Sequence, residues 1–218
     1  MHLTFNDIQS SDRKFRINLI NSITGIKPAN LIGTVSEDGI NNLAIISSVV
    51  HLGSHPPLIG FIMRPKHQVK RDTFENIVTT ENFTINQVST KMIKRAHYTS
   101  AKFDETISEF EECNFSSEFL DGFSAPYVKE SKLKIGLQHL ESIPIKANKT
   151  LMIVGQVEHL YIDDNFIDPK GYINLESMNS AGIGGLNSYY ELNKVAEYPY
   201  ARIGEIPDFK HEKTASSI

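Results

Sequence analysis

The sequence predicts a mainly β protein, a barrel or sandwich with helices inserted between its strands. Three observations carry this. Short apolar runs recur at Asn30–Ser36, Leu58–Met63, Asn82–Val88 and 150–162. They are punctuated by Gly, Pro and Asp signals rather than by long helical stretches. No regular strand–helix alternation appears, which disfavours a doubly wound dinucleotide fold.

Residues 1–20 read as an N-terminal extension, with an amphipathic turn or two around Phe15, Ile17, Leu19 and Ile20. The main domain is expected over 21–205 and a flexible tail over 206–218. Asn30–Ser36 opens the domain as a strand. Asp38-Gly39 then supplies a hairpin turn, since Gly tolerates the positive φ such a turn needs. Asn42–Val50 is expected as one returning strand. His55-Pro56-Pro57 breaks the chain before Leu58–Met63. That run is apolar throughout, as for a strand buried on both faces.

Arg64–Arg71 is a basic loop. Asp72 opens a helix, with Glu75 three residues on in the spacing of a capping box. Short helices are expected over 90–98 and 106–113. Leu133–Ile145 and Thr150–Ile162 read as long strands, and 182–185 as a flexible glycine-rich loop ahead of Tyr189-Tyr190.

Composition narrows the function. The 218 residues hold 22 Lys+Arg against 26 Asp+Glu, so no basic excess points to nucleic acid. The single cysteine, Cys113, follows Glu111 and Glu112, carboxylates that raise a thiol pKa, and a buried, idle thiol suits a reducing cytoplasm. The N-terminal residues lack the basic and apolar regions of a signal peptide, and no apolar run has membrane-spanning length. A cytoplasmic protein without nucleic-acid or membrane partners is therefore expected.

No Ser-centred elbow, phosphate-loop lysine or zinc-like spacing occurs among the motifs. His51 and His55 are four apart, but Pro56-Pro57 precludes a helix there. No metal site is expected. The polar pair Ser47-Ser48 interrupts an apolar strand. A buried hydroxyl wants a partner, which is a neighbouring carbonyl or a ligand. With the basic loop and the helix start at Asp72-Thr73, this pair could hold a phosphate, since hydroxyls, cations and helix N–H groups supply the donors.

Several segments, taken in order, resemble the flavin reductase-like family with its FMN-binding split barrel. They are Asn30–Val35, Asp38-Gly39, Ser47-Ser48, Pro56–Ile59, Lys70–Ile77, Phe83–Asn86, Thr99–Phe103, Ser108–Glu111 and Thr150–Val157. The resemblance implies FMN at the edge of a barrel, near a homodimer interface. It implies that Ile46, Ser47, Ser48 and Val49 lie along the flavin. It makes Arg64, Lys70 and Thr73 phosphate candidates and sets Asn86 on the neighbouring strand. Tyr98, Thr99, Ser100 and Ala101 would form the far wall. Where relatives flank the serine pair with aromatic residues, this chain has Ile46 and Val49.

The activity so implied is an oxidoreductase that passes hydride from NAD(P)H to flavin, and onward to a further acceptor or partner. It names no catalytic acid or base, because the cofactor carries the chemistry. The alternatives are an FMN-binding electron-transfer protein without its own NAD(P)H activity, and a barrel that serves as a cofactor-free binding module.

Overall fold

The computed structural model describes residues 1–64 and 72–209. Two short helices lead: α1 (Phe5–Ser10) and α2 (Arg13–Ser22). Thr4 and Asp7 cap α1 reciprocally, and the Asp12 carboxylate caps α2 through the N–H groups of Lys14 and Phe15. The extension is thus more helical than its weak periodicity suggests, although neither helix buries a residue.

The strands β1 (Lys27–Pro28), β2 (Asn30–Val35), β3 (Asn41–Ile46), β4 (Val50–Ser54) and β5 (Pro57–Met63) follow. Next come α3 (Asp72–Thr80), β6 (Asn82–Gln87), α4 (Ile93–Tyr98) and α5 (Glu109–Glu112). The chain continues through β7 (Ser117–Glu118), β8 (Tyr127–Val128), β9 (Leu133–Ile145) and β10 (Thr150–Ile162). It ends with β11 (Ala181–Gly184) and β12 (Ser188–Glu191).

One seven-stranded antiparallel sheet dominates, in the order β3-β2-β6-β9-β10-β5-β4. Its two edges, β3 and β4, are consecutive in the chain and are joined only by Ser47-Ser48-Val49. The expected single strand over 42–50 is therefore two strands with a break at the serine pair. That break is where the curled sheet meets itself.

Alternation along β2 explains the two cores. Ile32 faces the barrel interior with Phe61, Phe83, Leu137 and Ile153, all fully buried. Phe61 and Phe83 meet edge to face at 5.7 Å, a favoured aromatic geometry. Leu31 and Leu43 point the other way, onto Ala96 of α4 and Phe110 of α5. Each such side chain contributes about 1.5–3 kcal/mol by leaving water.

Other expectations shift. The helix expected over 106–113 shortens to α5. The glycine-rich run is β11, paired on both sides with β1 and β12. Gly182 fits there because a Cβ would meet Ile26 Cγ2 at 2.3 Å. In β5, Phe61 and Met63 are buried, while Leu58, Ile59 and Ile62 stay half-buried. Residues 193–209 run out as an exposed arm with one short turn at Ile203–Glu205. The last part of the expected tail, 210–218, lies outside the described residues.

Candidate functional site

A cleft of about 610 Å³ opens along the outer side of β3, at the seam of the barrel. The rim of β3 explains its position. In an edge strand every second N–H points outward and needs a partner. Here Leu43 N donates to Glu109 Oε2 at 2.9 Å, and Ile45 N donates to Thr99 Oγ1 at 3.0 Å. The next outward position, Ser47, lies in the cleft wall. Among the described residues, the Ser47 hydroxyl and the N–H groups of Ser47, Ser48 and Val49 make no hydrogen bond.

Ser48 is used differently. Its hydroxyl accepts from Ile62 N at 3.0 Å and donates to Ile62 O at 3.2 Å. The pairing of Val50 with Gly60, continued by two residues, sets Ser48 opposite Ile62. The side chain thus replaces a ladder bond, and the main chain of 47–49 is left open. Of the two partners the sequence leaves open for this hydroxyl, the structure selects the main chain.

Behind β3 lies a buried polar network. The Asn42 side chain accepts from Thr73 Oγ1 at 2.8 Å and from Thr34 Oγ1 at 3.2 Å, and donates to Glu109 Oε2 at 2.8 Å. Asn76 Nδ2 donates to Thr34 Oγ1 at 3.1 Å. These bonds tie β2 and β3 to the first turns of α3 and α5. Burial pushes the Glu109 carboxyl above its ordinary range, against the bonds from Leu43 and Asn42 that lower it, and nearby Asp72 raises it further.

The far wall is α4 and the residues after it. Thr99 Oγ1 also donates to Ala96 O at 2.8 Å, and Ser100 Oγ donates to His97 O at 2.7 Å. His97 Nδ1 and the Tyr189 hydroxyl are 3.0 Å apart, which joins α4 to β12 across the cleft's end. Two cations, Arg64 and Lys102, stand exposed at the cleft and form no ion pair among the described residues.

Of the residues expected at the site, Ile46, Ser47, Ser48, Arg64, Thr73, Thr99, Ser100 and Ala101 come together in this cleft. Three do not line it. Val49 packs into the barrel interior. Asn86 is fully buried and satisfied, donating to Leu31 O and Thr84 Oγ1 and accepting from Val128 N. Tyr98 points to solvent, and its neighbour His97 takes the wall instead. Lys70 lies outside the described residues. Sequence reasoning missed Lys102, His97 with Tyr189, and Glu109. Only Lys102 had a signal, its place just after the Thr-Ser-Ala stretch.

The family model of the flavin reductase like domain matches residues 26–179. The chain belongs to the flavin reductase-like family. A split-barrel protein of Shewanella frigidimarina NCIMB 400, provisionally classed as a flavin reductase, is 42% identical. It superimposes with a TM-score of 0.89 over 92% of this chain and 100% of its own. Nitrilotriacetate monooxygenase component B from Bacillus cereus shares the fold at 19% identity, with a TM-score of 0.80 over 91% of this chain and 98% of its own. An uncharacterized protein of Aquifex aeolicus (strain VF5) is 24% identical over 84% of this chain and 92% of its own length. Among the described residues no helix is long and apolar enough to cross a membrane.

Proposed function

We propose that this protein is an NAD(P)H-dependent flavin reductase that holds FMN in the β3 cleft. The observation that carries the proposal is the open main chain at Ser47–Val49, set between a hydroxyl-lined wall and two cations that form no ion pair among the described residues. The donor set fits the group. A flavin's polar ring edge is served by fixed, neutral N–H groups, which the break in the strand provides. Its phosphate is served by charge-assisted donors, which Arg64, Lys102 and the Ser47 hydroxyl provide.

FMN, when bound, supplies hydride acceptance and return, chemistry that no side chain offers. The residues do the rest. Ser47–Val49 orient the ring edge and favour negative charge there, because preorganised dipoles stabilise charge without reorganising. Thr99 and Ser48 spend their hydroxyls on Ile45, Ala96 and Ile62, which holds the wall rigid. Ile46 and Ala44 give the cleft an apolar floor that limits water. His97 and Tyr189 close its end.

The family likeness supports a homodimer as the working form, and the lone buried Cys113 suits a cytoplasmic setting. The test is the visible spectrum of purified protein with FMN, followed by NADH and NADPH without oxygen. Flavin absorption that either donor bleaches supports the reductase. A flavin band that neither bleaches favours an electron carrier. No flavin binding at all overturns the proposal.

A further inference from the structure

Residues 194–209 leave the body after β12 and lie beyond the 26–179 region that the family model matches. They carry an apolar side chain every second or third position: Val195, Tyr198, Tyr200, Ile203, Ile206 and Phe209. All six are exposed, Val195, Tyr198, Tyr200 and Ile203 at 85–97% and Ile206 and Phe209 at 63% and 65%. Scattered exposed apolar residues need no explanation, but a continuous series on an extended arm does.

Both cations of the arm are paired within it, and its carboxylates outnumber them. Lys194 pairs with Glu197, and Arg202 pairs with Glu205. Such an arm offers little to an anionic polymer or surface. Pro199 and Pro207 fix local φ and remove donors, so it cannot join a sheet as a full ladder strand. It is built to dock through side chains, partly preorganised.

The same chain also displays a matching face. In β5 and β10, Phe61 and Ile153 lie opposite each other and point into the barrel. Their neighbours point outward by alternation. Ile62, Met152 and Ile143 form one register row, and Val50, Gly60, Val154 and the exposed Glu141 form the next. Leu52 packs at Gly60 beside them. The outer side of β5 and β10 is thus apolar in these rows, bordered by Glu141 of β9, and Val50, Leu52 and Ile143 remain exposed.

We infer that the arm of one copy lies across the outer apolar face of β4-β5-β10-β9 of a second copy, and that the exchange is reciprocal. The inference rests on the homodimer reading. Both halves of the contact are present on every chain, which is the self-complementarity a twofold pair requires. The 16 residues of 194–209, with the outward residues of four strands, come to the roughly 20–30 residues a side of a standard interface.

Sedimentation over a concentration series tests it, with FMN binding followed by absorbance in parallel. Four chains are compared: full length, full length without 210–218, a chain ending at Asn193, and full length with Val195→Asp, Tyr198→Asp and Ile203→Asp. A fifth, Val50→Asp with Leu52→Asp, probes the face. The arm substitutions fall on exposed residues that the fold does not use. The expected result is a dimer whose dissociation constant rises about tenfold or more in the last three chains, without loss of FMN binding, and is unchanged on removing 210–218. A dimer that survives arm removal overturns the exchange and leaves the homodimer standing. A dimer weakened by the arm variants but not by the face variant overturns the docking surface. A full-length chain that is monomeric throughout overturns both readings.

Discussion

The hydroxyl of Ser48 holds the main chain of Ile62 at both ends, accepting from its N–H at 3.0 Å and donating to its carbonyl at 3.2 Å. One side chain thereby does the work of a strand partner where the barrel changes edge. Ser48→Ala leaves both groups of Ile62 without that partner, and we expect a stability loss of about 1–2 kcal/mol. Denaturant midpoints measure it. Ser47→Ala is expected to cost little stability and to weaken FMN binding instead. The opposite pattern would show that the two serines have been assigned the wrong way round.

Arg64 and Lys102 lack a carboxylate partner among the described residues and flank the same cleft. Arg64→Ala and Lys102→Ala are each expected to raise the FMN dissociation constant about tenfold at low salt. The effect should shrink as salt rises, because exposed charges are screened. Titration by flavin fluorescence at two ionic strengths checks this. Unchanged affinity in both variants would move the phosphate elsewhere.

Glu109 holds its proton more tightly folded than unfolded, chiefly because burial disfavours the carboxylate. The stability this gives is full below the ordinary Glu value of about 4.3 and is lost as pH rises through the raised folded value. Glu109→Gln keeps an acceptor for Leu43 N and Asn42 Nδ2 but cannot ionise. Wild-type stability relative to the variant should therefore fall as pH rises from the ordinary carboxylate range towards neutrality. Urea midpoints across that range read the slope; a rising difference would contradict the assignment.

Gly33 lies where β2 passes under the Pro126 carbonyl. A Cβ there would sit 2.3 Å from that oxygen and 2.6 Å from Thr84 Oγ1, which itself donates to it. Neither neighbour is a flexible chain end, so Gly33→Ala should cost about 3 kcal/mol or more. Gly204→Ala, with open space around its Cβ and no positive φ, should leave the thermal midpoint nearly unchanged. Thermal unfolding of the pair separates a close-approach glycine from an incidental one.

Much of the fold was legible because its signals are local. The Asp38-Gly39 turn and the alternation in β10 declare themselves within a few residues, whereas the caps of α1 and α2 were passed over. What was not legible depends on distance along the chain. Tyr189 meets His97 across 92 positions and Glu109 meets Leu43 across 66, with no motif to announce either. Asn86 was placed beside the site by the family resemblance alone. Its three main-chain and side-chain bonds show it serving β8 and β2 instead. The break at Ser47 was invisible for a related reason: β propensity runs straight through it, and only closure of the sheet interrupts the ladder.

The three-residue hop between β3 and β4 sets how this protein can change. The N–H groups left open there are ones that every residue except proline carries. The spacing between the two strands therefore matters in addition to the side chains, and Ser48 adds its own constraint through Ile62. Adding or deleting one residue would turn each amide to the wrong side and misalign the strands that the hop connects. In this seam, length decides which way each amide faces, and one hydroxyl pins the hop to the strand beside it.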